Sequence, residues 1–387
     1  ERIAILAGRG VAGAQAELME LAERLDAGVT MSLLGKPYVD ESSPVVGGTM
    51  GHLGTTASAR ILQNCDTLLI VGSNDPWTEF YPEPGQARAV QIDLDPVHLA
   101  NRYPIEVGMV GDAAAALREL TGRVADRDRS AWRGDVEKWV GQWWEISRMR
   151  SEVPARGLNP ELVARRLGER LPHDARLAVD VGSSVYHYVR QISLPTTVPA
   201  HLSSTLASMG CGIPYAIAAK ATAPAKPVAV LAGDGAIQML GINELITVSE
   251  AWPSWEDPTM VIVVLSNRDL AEVSWEQRES EAQPRFARSQ DVPPFDVAGY
   301  AELLGLRGVR VEDPEQLVPA LEEAFLADRP TVIDAITDPD MPLLPPFPHG
   351  REMAESMRTG LLAEGAAGEH ALELLEAYAR MEEERFT

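Results

Sequence analysis

Short apolar runs alternate with helix-length amphipathic segments twice along this chain, once before residue 120 and again after residue 158. A strand, a helix and a second strand in one sheet must run parallel, so the pattern predicts an α/β fold of two doubly wound parallel-sheet domains. In the first block strands are expected at Ile3 to Ala7, Val29 to Ser32, Thr67 to Val71 and Ala89 to Ile92, with helices such as Ala14 to Leu25 and Thr56 to Gln63 between them. The second block opens at Asn159-Pro160, an N-cap followed by proline at the first helical position. Its strands are expected at Arg176 to Val179, Val228 to Ala232, Met260 to Leu265, Val309 to Val311 and Thr331 to Ile336. Between the blocks, Trp132, Trp139 and Trp143 share one helical face, so residues 126–157 read as a linker helix ended by Pro154 and Gly157. The expected division is a Rossmann-like domain at 1–125, that linker, a second domain at 158–340, and a tail at 341–387, with a Pro-rich stretch leading into an acidic helix at Ala363 to Phe386.

Charge narrows the partners. Acidic residues number 57 against 34 basic ones, a formal charge of −23 that repels a nucleic-acid backbone or an anionic membrane. An anionic ligand here needs local help from main-chain N–H groups or a metal ion. Cys65 and Cys211 belong to no metal or redox spacing, which fits a reducing cytoplasm. No apolar run approaches the roughly 18 to 20 residues of a membrane span. The chain opens at Glu1 almost inside a strand, as a sequence cut at a domain boundary would.

Gly8-Arg9-Gly10-Val11-Ala12-Gly13 follows a strand and opens a helix, the setting of a dinucleotide fingerprint. Such a site also wants an acid at the end of the second strand, and Val29-Thr30-Met31-Ser32-Leu33 offers none. The glycines are therefore read as allowing a tight turn, not as a nicotinamide site.

The second glycine motif carries more chemistry. Gly233-Asp234-Gly235-Ala236 ends one strand, and Ser266-Asn267 ends the next. Asp234 and Asn267 are hard oxygen donors suited to octahedral magnesium. Gly235 and Ala236 place main-chain N–H groups at a helix N-terminus, where anionic oxygens bind.

Gly233-Asp234-Gly235 with Asn267 downstream resembles the thiamine-diphosphate motif of the superfamily that includes pyruvate oxidase, acetolactate synthase and pyruvate decarboxylase. Ala207-Ser208-Met209-Gly210 resembles that family's small-residue segment beneath the cofactor, which would make Met209 the apolar pillar that bends it. Gly182-Ser183-Ser184, after Asp180, resembles a further diphosphate-contacting turn. By the same resemblance the carbonyl of Asp269 would be a third metal ligand, its side chain solvated or paired with Arg268, and Leu270 and Glu272 would lie near the reaction centre. Leu34-Gly35-Lys36, Cys65 to Ser73, Phe80-Tyr81-Pro82 and Gln91 to Pro96 are similar to the family's central domain, closest to bacterial pyruvate oxidases and quinone-linked pyruvate dehydrogenases. In the oxidases that domain holds FAD, and the matching positions are Gly51, His52, Leu53, Gly72, Ser73, Asn74, Asp75, Pro76 and Asp93. Asp75 and Glu79 add negative charge there with no arginine beside them, so flavin is expected to be weakly held or absent.

The resemblance implies decarboxylation of a pyruvate-like 2-oxo acid followed by oxidation of the enamine, with carboligation as the alternative, in a homodimer or tetramer. Family chains carry a third, pyrimidine-binding domain whose glutamate protonates the cofactor, and no match to it is found, so no residue can be assigned as the catalytic acid. Glu272, Glu244 and Asp180 are the substitutes within this sequence. A cofactor-binding scaffold without turnover is the reading from another class.

Overall fold

The computed structural model describes residues 1–125 and 130–386. Its first sheet contains β1 (Ile3–Ala7), β2 (Gly28–Met31), β3 (Val46–Thr49), β4 (Thr67–Val71), β5 (Arg88–Asp93) and β6 (Val107–Val110), in the order β3-β2-β1-β4-β5-β6. Its second contains β7 (Arg176–Val179), β8 (Ala200–His201), β9 (Val228–Gly233), β10 (Met260–Ser266), β11 (Arg307–Val311) and β12 (Thr331–Ile336), in the order β11-β12-β10-β9-β7-β8. Every pairing within them is parallel. The central strands are buried on both faces, which is why they read as continuous apolar runs.

The strands that sequence pattern does not reveal are β3, β6 and β8, at sheet edges. An edge strand pairs on one side only and needs no long apolar run: β3 is Val-Gly-Gly-Thr, β6 is largely exposed, and β8 has two residues.

In the order of the first sheet, β1 and β4 flank the point where the winding reverses, the usual ligand crevice of such a fold. Here that crevice is closed by backbone. Gly8 and Gly10 donate their N–H groups to the carbonyls of Val71 and Gly72 at 2.9 and 3.0 Å. A Cβ on Gly8 would stand 2.1 Å from the Gly72 oxygen. The first glycine motif thus permits two loops to touch, which is more than the tight turn expected of it.

Asn159 caps its helix as expected, its Oδ1 accepting from the N–H of Glu161 at 2.9 Å. Its Nδ2 also donates to the carbonyls of Arg150 and Val153, tying down the end of the preceding helix. That helix spans Ala131–Ser151 and buries Trp132 and Trp143 in the first core, with Trp139 packed edge-on to Trp132. The first residues expected in the linker, 126–129, lie outside the described residues.

The tail contains two helices, His349–Ala363 and Glu369–Phe386, where one is expected from sequence. Met357, Leu361 and Tyr378 pack with Trp275 and Tyr186 of the second domain. Glu382, fully buried, accepts from Arg150 Nη2 and from Thr56 Oγ1, both at 2.8 Å. The tail therefore braces both sheets.

Candidate cofactor and metal site

The winding of the second sheet reverses between β7 and β9, and the turns that leave these strands form one wall of a cleft. The cleft encloses about 380 Å3, including space open to solvent. Gly182, Ser183, Met209, Gly233, Asp234, Gly235, Ala236, Asn267, Asp269, Leu270 and Glu272 line it. These are residues that sequence reading singles out, gathered from four separate stretches. Three others do not line it. Ala207 and Ser208 are exposed on the approach to Met209, and Ser184 turns inward to donate to the carbonyl of Asp180 at 2.6 Å.

Asp234 stands at the end of β9 with both carboxylate oxygens in use. Oδ1 accepts from the N–H of Gly235 at 2.8 Å and Oδ2 from the N–H of Arg268 at 2.7 Å. Burial pushes its carboxyl up to about 6 despite these bonds, and nearby Asp269 adds to the shift. Among the described residues no cationic side chain pairs with it. A buried carboxylate held in place without a counter-charge is what a divalent cation would complete, so the donor set fits magnesium. Asn267 keeps a lone pair on Oδ1 after accepting from the N–H of Asp269 at 2.9 Å.

Two expectations are corrected here. The Gly235 N–H is spent on Asp234, so the contribution of Gly235 is space: a Cβ there would stand 2.7 Å from Leu270 Cδ2 and 3.5 Å from Met209 Cε. The side chain of Asp269 is neither solvated nor paired with Arg268. It is buried, accepts from Ser274 Oγ at 2.9 Å, and forms an ion pair with Arg285, which the chain reversal after residue 281 brings back.

Asp180 is the feature whose role sequence reading misses. Its oxygens accept from the N–H groups of Val181, Gly210 and Gly212 at 2.8, 2.7 and 2.8 Å. It thus fixes the strap on which Met209 sits, while burial raises its carboxyl against the pull of those three bonds. Only a run of glycines around position 210 hints at this in sequence. Gly182, at φ 125°, adopts a backbone angle that favours glycine and opens the helix Ser183–Gln191. Across the cleft, Glu272 Oε2 is 4.0 Å from where a Gly182 Cβ would lie. Burial pushes the Glu272 carboxyl up to about 7, with help from Glu276. Glu244, on the helix Ile242–Ala251, is not part of the cleft wall.

Several flavin candidates of the first domain make protein contacts, while the buried Ser73 Oγ has no hydrogen-bond partner among the described residues. Gly72 packs on Gly10, Asn74 Oδ1 accepts from Asn101 and Arg102, and Asp93 Oδ1 accepts from the N–H of Asp95 at 3.0 Å. His52 is held between Glu79 and Glu279, and the carbonyls of His52, Leu53 and Gly54 accept from buried Arg190. The expectation that no arginine stands near Asp75 is overturned. Arg102, carried in by the loop before β6, lowers a carboxyl that burial pushes up to about 6.

Comparison with known proteins bears on the same two domains. Residues 1–120 match the model described as thiamine pyrophosphate enzyme, central domain, and residues 180–335 match thiamine pyrophosphate enzyme, C-terminal TPP binding domain. The chain belongs to the thiamine-diphosphate-dependent enzyme superfamily. It is 32% identical over 340 residues to a putative thiamine pyrophosphate-containing protein, YdaP, of Bacillus subtilis, covering 88% of this chain and 57% of that protein. A probable acetolactate synthase large subunit of Methanocaldococcus jannaschii is 30% identical over 374 residues, covering 89% of this chain and 59% of the relative. A pyruvate oxidase of Lactiplantibacillus plantarum is 27% identical over 347 residues, covering 89% and 56%. This thiamine-diphosphate family chain therefore spans less than three fifths of the length of these relatives. Among the described residues no helix is long and apolar enough to cross a membrane.

Proposed function

We propose that this chain holds the diphosphate and magnesium of thiamine diphosphate, and that the completed protein decarboxylates a pyruvate-like 2-oxo acid. One observation carries the reading: buried Asp234, without a protein counter-charge, shares a cleft with Asn267, Met209 and Leu270. When bound, thiamine diphosphate supplies a carbon nucleophile and an electron sink for loss of carbon dioxide. Asp234, Asn267 and the Asp269 carbonyl hold the metal. The N-terminal turns at Ala236 and at Gly182-Ser183 receive the diphosphate. Met209 and Leu270 meet over Gly235 and exclude water, and Glu272 holds a proton on its carboxyl close to neutral pH.

Completion of the site calls for a pyrimidine-binding domain, from another stretch of chain or a neighbouring subunit in a homodimer or tetramer. Leu206, Met239 and Leu240 support this, being 80%, 52% and 54% exposed, with Leu240 against Gly210 of the strap.

The first reading of the later step is oxidation. A second, carboligation, is favoured by the protein contacts at several of the flavin positions and by the acetolactate synthase among the relatives. Products formed from pyruvate by the full-length protein separate them, since oxidation consumes an electron acceptor and carboligation yields acetolactate without one. Calorimetry tests the shared core: Asp234→Ala should abolish magnesium-dependent binding of thiamine diphosphate, and unchanged affinity would refute the assignment.

A further inference from the structure

The loop that returns after the helix Ala271–Glu281 lays a second stretch of main chain against the metal turn. Leu270 donates its N–H to the Gln290 carbonyl at 2.8 Å, Val292 donates to the Arg268 carbonyl at 3.0 Å, and between them Asp269 and Asp291 form an antiparallel bridge. Buried Gln290 locks the loop from inside, accepting from the Phe286 N–H at 2.7 Å and donating to Gln277 Oε1 at 2.6 Å. Arg285 Nη2 then joins the carboxylates of Asp269 and Asp291. The residues that follow Asn267 are thus held by this loop as well as by their own helix.

The loop is in turn held by the tail. Glu364, which ends the helix His349–Ala363, accepts from the Arg285 N–H at 2.8 Å and from Arg278 Nε and Nη2 at 2.8 and 3.0 Å. The Glu364 and Arg278 side chains are 6% and 2% exposed. One turn earlier, a Cβ on Gly360 would stand 2.6 Å from the Gln283 carbonyl oxygen, so the tail helix lies directly on the loop. A buried ion pair gains little net stability, because desolvation offsets its attraction. What this one gains is position, since a single carboxylate fixes the guanidinium of one element and a main-chain N–H of another.

We propose that Glu364 is a positioning residue for the metal site. It fixes the main chain at Arg285, Arg285 holds the Asp269 side chain, and the Asp269 N–H holds Asn267 Oδ1 at 2.9 Å. The tail thereby sets the placement of two of the metal ligands named above, and the inference rests on that assignment. Groups that orient ligands in this way are commonly worth about 10- to 100-fold in metal affinity.

Manganese, which takes the same octahedral oxygen donors and has a paramagnetic spectrum, replaces magnesium in the test. On the full-length protein with thiamine diphosphate, electron paramagnetic resonance reads both its affinity and its coordination. Glu364→Gln keeps the volume and one acceptor oxygen but gives up the charge facing Arg278. It should weaken manganese binding about tenfold and change the spectrum of the bound ion. Arg285→Lys keeps a charge beside Asp269, gives up the bridge to Asp291, and should do the same. With its side chain 26% exposed, Arg285 carries the test if melting shows Glu364→Gln unfolded. Because the two residues act in series, the double variant should bind manganese no more weakly than the worse of the single ones. Arg358→Met, which breaks the tail's pairs with Glu355 and Glu376, should leave affinity and spectrum unchanged. Unchanged affinity or spectrum in a folded single variant would overturn the proposal, as would losses that multiply in the double variant or an equal loss in Arg358→Met. If the wild type shows no manganese signal dependent on thiamine diphosphate, the metal assignment itself fails and the inference with it.

Discussion

His52 Nδ1 lies 3.0 Å from Glu279 Oε1, joining the loop after β3 to the helix that carries Glu272. Its other ring nitrogen meets Glu79 at 2.9 Å, so one imidazole bridges two carboxylates across the domain boundary. Beside it, Arg190 reaches the His52 carbonyl at 2.8 Å. The relative placement of the two sheets near the cleft therefore depends on a titratable contact.

That contact sets a pH dependence. Burial disfavours the charged ring, but the hydrogen bonds and charges of Glu279 and Glu79 outweigh it and raise the His52 pKa above 6.5. A base with a raised folded pKa stabilises the fold fully below its unfolded pKa and loses that contribution as pH rises through the folded value. His52→Gln should therefore cost on the order of 1 kcal/mol at pH 6, a shift of a few degrees in melting, and progressively less as pH rises above 6.5. Comparing the two proteins at each pH removes the opposing effect of His187, whose buried ring is pushed down to about 3. A constant difference between pH 6 and 9 would sink the idea.

Asp180 gives a second test. Asparagine in its place keeps one acceptor oxygen and turns the other into a donor facing an N–H group of the Met209 strap. Asp180→Asn should lose about 2 kcal/mol of stability through the unsatisfied bond. It should also weaken thiamine-diphosphate binding roughly tenfold, about 1.4 kcal/mol, by loosening Met209. Equilibrium unfolding and cofactor titration check the two effects, and unchanged cofactor affinity in a folded variant would remove the positioning role.

What sequence made legible follows from where the energy lies. β1, β4, β9 and β10 are buried on both faces, so their apolar runs announce them, whereas β3 and β6 pair at edges and carry no such run. Asp234 and Asn267 stand out by residue type and local spacing and Met209 by the family resemblance, and all three line one cleft. Arg285 beside Asp269, Arg102 beside Asp75 and Arg190 under His52 do not stand out, since each meets its partner only through tertiary packing. Asp180 was visible as a residue and opaque as a role, because a carboxylate that holds main-chain N–H groups looks in sequence like one that holds a proton.

Glu272 should make the fold less stable for the sake of the cleft. Its folded pKa of about 7 exceeds the ordinary 4.5, so the folded protein holds a proton there that the unfolded chain releases. Stability then falls as pH rises from about 4.5, and the penalty is complete above about 7. Glu272→Gln should remove it, leaving the variant more stable than wild type by about 3 kcal/mol at pH 8 and nearly equal at pH 4. Urea unfolding at both values decides the matter. Equal stability at pH 8 would mean that the carboxyl is not desolvated as placed.

A protein restricted to these 387 residues is expected to bind thiamine diphosphate weakly and to turn over pyruvate at no enzymatic rate. The cleft gathers the proposed metal ligands and an apolar floor of Met209 and Leu270, but among the described residues lining it Glu272 is the one carboxyl other than Asp234 and Asp269, and exposed Leu206 and Leu240 lie beside the strap. General acid-base assistance of this type commonly contributes about 100- to 10,000-fold, and loss of positioning costs more. Adding the pyrimidine-binding domain, in the same chain or as a separate polypeptide, should restore turnover and cover Leu206, Met239 and Leu240 against hydrogen exchange. Turnover by residues 1–387 alone, with magnesium and thiamine diphosphate, would assign the acid to Glu272. In that case Glu272→Gln would abolish it, and the pH profile would bend near 7.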